Sequence, residues 1–183
     1  MISQLNKLKE LAHNADAKIA YAASAAYTIT LTGLASSSTL VAGRESTSLS
    51  NATHKYLDEL VAGRVHVNEA SAVTANTQIE AHVVGALDDT PTWPDVFDGT
   101  DSAETVTSAG IKAGICKPVG IMLVDATITN RPYFFAPLGI RQLFGDGMPT
   151  DHAIFVTHST GQTLGATAAN HYIKHTPVYA TVA

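Results

Sequence analysis

The sequence predicts an antiparallel β-sandwich, jelly-roll-like or of a related Greek-key type, with a short N-terminal helical arm. Three observations predict it. From Tyr27 onward, apolar and polar residues alternate with a period of two in segment after segment. Turn signals containing glycine separate these segments, at Ala42-Gly43, Ala62-Gly63, Asp98-Gly99, Ala109-Gly110, Asp146-Gly147 and Thr160-Gly161. The chain also holds 22 threonines, and threonine is a β-branched residue that fits strands better than helix interiors. The 28 alanines run against an all-β reading, and some of them belong to the arm.

The arm comes first. Leu5, Leu8, Ala12, Ala15 and Ile19 recur at helical spacing, with Lys7, Lys9, Glu10 and Asp16 largely on the other side and Ser3 placed as an N-cap. This face is thin, so the helix needs a surface to lie on. The expected organisation is an arm over residues 1–24 and one sandwich domain over 25–183, which suits a chain of 183 residues. Tyr27, Ile29 and Leu31 alternate with Thr28, Thr30 and Thr32 as a half-buried strand. The segment Asn51–Val61 reads as a short helix or a covering loop. Two further alternating strands centre on Val65 and Val67 and on Ile79, Ala81 and Val83. Three apolar runs follow: Ile121–Val124, Tyr133–Phe135 and Ala153–Val156. They read as strands covered on both faces or lying beside an aromatic core. Tyr172-Ile173 and Pro177–Tyr179 close the chain, and Leu87–Ser108 is the longest irregular piece.

Composition excludes several functions. Hydrophobic residues make up 45% of the chain, so it is not a charge-swollen disordered one. The net charge of −5 argues against a duplex nucleic-acid partner, which needs clustered cations to neutralise phosphates. A single cysteine, Cys116, rules out an internal disulfide framework and a cysteine-based metal centre. Met1–Glu10 is polar and mixed in charge, so no secretory leader is expected there. The uncharged stretch from Ile19 to Gly43 is too rich in Ser and Thr to read as a membrane span.

Catalytic and metal patterns are weak. No Ser sits in a Gly-x-Ser-x-Gly elbow, and Gly110-x-x-x-Gly114 lacks the ending of a phosphate loop. His171 and His175 would share a helix face. On the strand that the neighbouring residues predict, however, they stand about 13 Å apart, too far for one zinc. Between Val65 and Ile111 lie eight acids and no Lys or Arg. Asp95, Asp98 and Asp101 resemble a calcium loop in composition but lack EF-hand spacing. No catalytic residue, cofactor or metal ligand is therefore assigned, and no enzyme is expected. Trp93, the only tryptophan, lies between Pro91 and Pro94 in this acidic loop. It reads as an interface anchor, a sugar-stacking platform, or a lid folded back on the sandwich.

The wording of several segments adds a resemblance. Thr30-Leu31-Thr32-Gly33-Leu34 precedes Leu40-Val41-Ala42-Gly43-Arg44-Glu45-Ser46. Ala86–Asp95 is followed by Asp98-Gly99-Thr100-Asp101-Ser102, and the chain ends with Phe155–Gly161 and Ala169-Asn170-His171. This order of segments, covering most of the chain after Tyr27, resembles the small virion structural proteins of tailed bacteriophages that decorate or cement the capsid. The resemblance implies a jelly-roll subunit on the capsid exterior, often a trimer, bound to the major capsid protein and bracing the head. Charge and composition leave no nucleic-acid or membrane partner expected. The alternatives are another virion component, such as a tail or head-completion subunit, or a carbohydrate-binding sandwich with Trp93 or Tyr133 as its stacking platform. Leu5, Leu8 and Ile19 of the arm, with Trp93, Pro94 and Asp95 of the loop, are the interface residues expected.

Overall fold

A computed structural model describes residues 17–182. The strands are β1 (Ala17–Tyr21), β2 (Ala25–Ala26), β3 (Ala42–Glu45), β4 (Leu49–Ser50), β5 (Asp58–His66), β6 (Thr77–Gly85), β7 (Ala103–Thr105), β8 (Cys116–Val124), β9 (Pro132–Gly139), β10 (Asp151–His158) and β11 (Tyr172–Val182). Helix α1 (Asn51–His54) precedes β5, and α2 (Ala109–Ile115) precedes β8. Two short 3-10 turns, Arg141–Phe144 and Ala168–Asn170, complete the set.

All the strand pairs are antiparallel. One sheet runs β1-β11-β5-β9, with β2 continuing the β1 edge along β11. The other runs β7-β3-β10-β6-β8, with β4 continuing the β3 edge along β10. Counting β1/β2 and β3/β4 as one bent strand each and setting β7 aside leaves eight strands. Their order is first-eighth-third-sixth in one sheet and second-seventh-fourth-fifth in the other, which is the jelly-roll wrapping. The expected β-sandwich is present.

The main core lies between the sheets. Val61 and Val65 of β5, Ile79, Ala81 and Val83 of β6, Met122 and Val124 of β8, Ile154 and Val156 of β10, and Ile173 of β11 all point into it. A second core lies on the outer face of the β3-β10-β6 sheet. There the connection from β6 to β8 folds back, so that Phe97, Val106, Cys116 and half-buried Trp93 cover Val84 and Phe155. Every residue of β10 is therefore buried.

Of the three apolar runs, Ala153–Val156 is covered on both faces as expected, and the other two are not. Ile121 and Leu123 of β8 are 60% and 62% exposed, and Phe134 of β9 is 60% exposed. β8 and β9 edge their sheets, and nothing among the described residues crosses their outward faces at these positions. Residues Tyr27–Thr32 form no strand, although Tyr27 and Leu31 are buried as the alternation predicts. Here the chain crosses between sheets, and its backbone bonds to scattered partners. Tyr27 N donates to Ile173 O, Thr47 N donates to Thr28 O, and Thr30 N donates to Asp101 Oδ1. The two closing segments are a single strand, β11, which passes through Pro177. Asn51–Val61 combines α1 with the start of β5.

The arm boundary also moves. Ala17–Tyr21, expected within a helical arm over residues 1–24, is strand β1 paired with β11. Residues 1–16, with Leu5 and Leu8, lie outside the described residues. Among the described residues no helix is long and apolar enough to cross a membrane.

Phe135 locks the β9 side of the sandwich. Its ring reaches from β9 onto Gly63 of β5 and Gly120 of β8, where any Cβ would collide with it. Gly120→Ala is expected to force the ring out of place and destabilise the fold by about 1–3 kcal/mol. In thermal denaturation that corresponds to a drop in Tm of about 2–4 °C per kcal/mol for a domain near this size.

Candidate functional site

Three features stand out from the scaffold: the uncovered apolar edges, the acidic loop, and a polar cluster inside one end of the sandwich. The edges follow from strand alternation. On β8, Met122 and Val124 point inward, so Ile121 and Leu123 point out, opposite Glu80 and Gln78 of β6. Helix α2 reaches this face only as far as Glu80. There Lys112 Nζ pairs with Glu80 Oε2, and His82 Nε2 lies 2.9 Å from the same oxygen. The hydrogen bond from His82, aided by Lys112, outweighs burial and holds the Glu80 carboxyl down at about 2. At the other lateral edge, Ile19 and Tyr21 of β1 are 59% and 61% exposed. Ile19, expected on a helix face, is thus an outward residue of an edge strand.

In the acidic loop, Trp93, Pro94 and Asp95 are used to build the loop itself. Trp93 packs into the second core and against Gly99, as the lid reading expects. Pro94 O accepts from Phe97 N at 3.3 Å. Asp95 adopts a left-handed backbone (φ 56°), and its carboxylate accepts from Thr107 N and Oγ1 at 2.9 and 2.6 Å. Those bonds hold its carboxyl below the usual range. Asp101 turns the opposite way, to Arg44 Nε at 2.6 Å and to Thr30. Of the three aspartates resembling a calcium loop, only Asp98 joins an acidic cluster. Its partners are Glu45 and Glu104, and the three carboxylates each place an oxygen within 4.8 Å of the others.

Sequence reading missed Glu45 because it lies more than fifty positions before Asp98; the β3-β7 ladder brings them together. Glu45 is fully buried and accepts from Asp98 N at 3.2 Å and Gly99 N at 2.8 Å. Burial pushes its carboxyl up to about 7, helped by the Asp98 and Glu104 charges and opposed by the two backbone donors.

The polar cluster draws on four separated segments. Tyr27 follows β2, Glu59 is the second residue of β5, His152 lies on β10 and His175 on β11, so both sheets contribute. Glu59 Oε2 is the hub. Tyr27 Oη donates to it at 3.3 Å, and His152 Nε2 lies at 3.2 Å from it and 3.1 Å from Tyr27 Oη. His175 Nδ1 stands 3.4 Å away, misaligned for a hydrogen bond. Burial alone would raise the Glu59 carboxyl, but the two imidazoles beside it prevail and hold it at about 2. Burial, with the Glu59 charge adding, pushes the Tyr27 hydroxyl well above its ordinary value. A pocket of about 240 Å³ opens onto Glu59 and His175.

The other singled-out groups are structural. His158 is buried, with its ring nitrogens 3.0 Å from Thr160 Oγ1 and from Leu34 O. His171 Nε2 lies 3.0 Å from Gly165 O, and its Nδ1 accepts from His66 N at 3.3 Å. The Cys116 thiol is pushed up to about 12 by burial, the state of an inert core cysteine. Compared with known proteins, the chain matches no protein-family model and no curated protein.

Glu45 gives a pH prediction. Below about pH 4.5 its carboxyl is protonated in both the folded and the unfolded chain. Between there and about pH 7 the unfolded chain releases a proton that the folded chain keeps. Its contribution to stability therefore falls as pH rises through that window and levels off above it. Urea melts of the protein and of Glu45→Gln should show the stability difference, wild type minus variant, decreasing across the window.

Proposed function

We propose that this protein is a capsid decoration subunit of a tailed bacteriophage, bound to the outside of the assembled head and bracing it. The observation that carries the reading is the uncovered apolar surface at the lateral edges of the sandwich. Ile121 and Leu123 stand two residues apart on the outward side of β8, and Ile19 and Tyr21 stand likewise on β1, with Phe134 exposed on the outward side of β9. Neighbouring apolar side chains left in water point to contact surfaces. The two edges carry different residues, so a contact between them is head-to-tail, and such contacts close into rings when the rotation allows. A trimer on the major capsid protein fits that geometry. The resemblance noted in the sequence and the jelly-roll wrapping support the same reading, and wrapping alone carries no function.

A carbohydrate-binding module fits less well, because Trp93 is half-buried and packs into the second core, and Tyr133 is buried. The test is co-sedimentation with purified heads lacking the protein. Wild type should pellet with the heads, while Ile121→Asp/Leu123→Asp should lose most of that binding and still melt cooperatively. A deletion of residues 1–16 is the matching test of the N-terminal segment. It must stop there, because Ala17 begins the β1 ladder. Heads that bind neither wild type nor variant would refute the assignment.

A further inference from the structure

The strongest unassigned feature is the pocket where β4 and α1 meet β5 and β11. Its walls include Ser48, Ser50, His54 and Tyr56, and Glu59 and His175 border it from the polar cluster. The His54 and Tyr56 rings stack with centroids 5.1 Å apart and form an aromatic wall. The cluster behind the pocket is incomplete, because Nδ1 of His152 and Nδ1 of His175 are buried with no hydrogen-bond partner among the described residues.

Charge says what kind of guest fits. Glu59 is 2% exposed, and its carboxyl stays ionised at neutral pH. Its only ionic neighbours among the described residues are the two imidazoles, and no lysine or arginine pairs with it. A neutral imidazole lends a hydrogen bond and no full charge. Hydrogen bonds make the buried carboxylate tolerable, and no fixed counter-charge completes it. The contacts from Tyr27, His152 and His175 all fall on Oε2. That leaves Oε1 without a hydrogen-bond partner among the described residues, as the acceptor for a guest. A neutral guest brings N–H or O–H donors alone, whereas an organic cation brings donors and the missing charge. The wall suits a cation too. The Tyr56 ring attracts one through its π face, and the serine hydroxyls accept further N–H groups.

We propose that this pocket binds an organic cation, a primary ammonium or guanidinium group that pairs with Glu59 Oε1 and lies against Tyr56. Such a group has two sources, a free small amine and a lysine or arginine side chain of another protein. The pocket's volume of about 240 Å³ holds either one. The inference is independent of the capsid assignment. The acidic cluster of Glu45, Asp98 and Glu104 is a separate feature, and nothing beyond its own carboxylates points to a ligand there.

The test is an NMR titration of the full-length protein at neutral pH and constant ionic strength. n-Butylammonium and methylguanidinium should give saturable shifts at Ser48, Ser50, Tyr56 and His175, and Tm should rise with their concentration. 1-Butanol, the uncharged counterpart, should give no such shifts at the same concentration. Glu59→Gln keeps the side chain's size and an oxygen for Tyr27, and it should weaken n-butylammonium binding by about 10–100-fold. Because that variant can also disturb the core, Tyr56→Ala supplies a second one outside the cluster. It should weaken binding by about 2–5-fold. A capped Gly-Lys-Gly peptide separates the sources. Tighter binding than n-butylammonium assigns a protein side chain, weaker binding assigns a small amine, and either result supports the cation site. No saturable shift with either cation, an equal response to 1-butanol, unchanged affinity in a folded variant, or shifts centred elsewhere would overturn the proposal.

Discussion

The burial of β10 on both faces is the constraint on which the rest of the fold depends. Its even-numbered residues, Ile154 and Val156 among them, close the core between the sheets. Phe155 points the other way and needs a second cover. A jelly roll gives a central strand only one buried face unless an insertion covers the other. The long connection between β6 and β8 is that insertion. It carries β7 onto the β3 edge and α2 onto Glu80, and it folds Trp93 and Phe97 over Phe155. The length of this connection and its turn-forming acids follow from that task. Asp95 ties the connection to itself at Thr107, Asp101 ties it to Arg44 of β3, and Glu45 receives the backbone of its middle.

That arrangement explains what was legible in the sequence and what was not. Strands with strong alternation, β6 above all, were readable because period-two patterning is local. The run Ala153–Val156 correctly announced two-sided burial. Ile121–Val124 has the same apolar look and does not have that burial, because coverage depends on which strand lands at a sheet edge. Tyr27–Thr32 kept the pattern of a strand while its backbone served the crossing between sheets. The Glu59 cluster was invisible for a related reason. Tyr27, Glu59, His152 and His175 span the chain from one end to the other, and only the wrapping of β5, β10 and β11 joins them.

The distribution of polar and apolar groups is inverted relative to a simple sandwich. A charged carboxylate with its imidazoles sits inside, while Ile19, Tyr21, Ile121, Leu123 and Phe134 stay outside. The interior group is tolerable because Tyr27 and His152 hydrogen-bond the Glu59 carboxylate across the two sheets. The outward apolar residues have no such answer among the described residues, and on the proposed reading a partner surface supplies one. Trp93, Pro94 and Asp95 fasten the acidic loop from within, and the proposed contact surface falls on the edge strands.

The central claim is that these edges meet a capsid lattice, and the most direct measurement is copy number. Quantitative mass spectrometry of purified phage particles gives the ratio of this protein to the most abundant shell protein. The account predicts a ratio near one or a simple fraction of one, as a lattice-wide decoration requires. A handful of copies per particle would move the protein to the tail or head-completion position, and its absence from particles would contradict the virion assignment altogether.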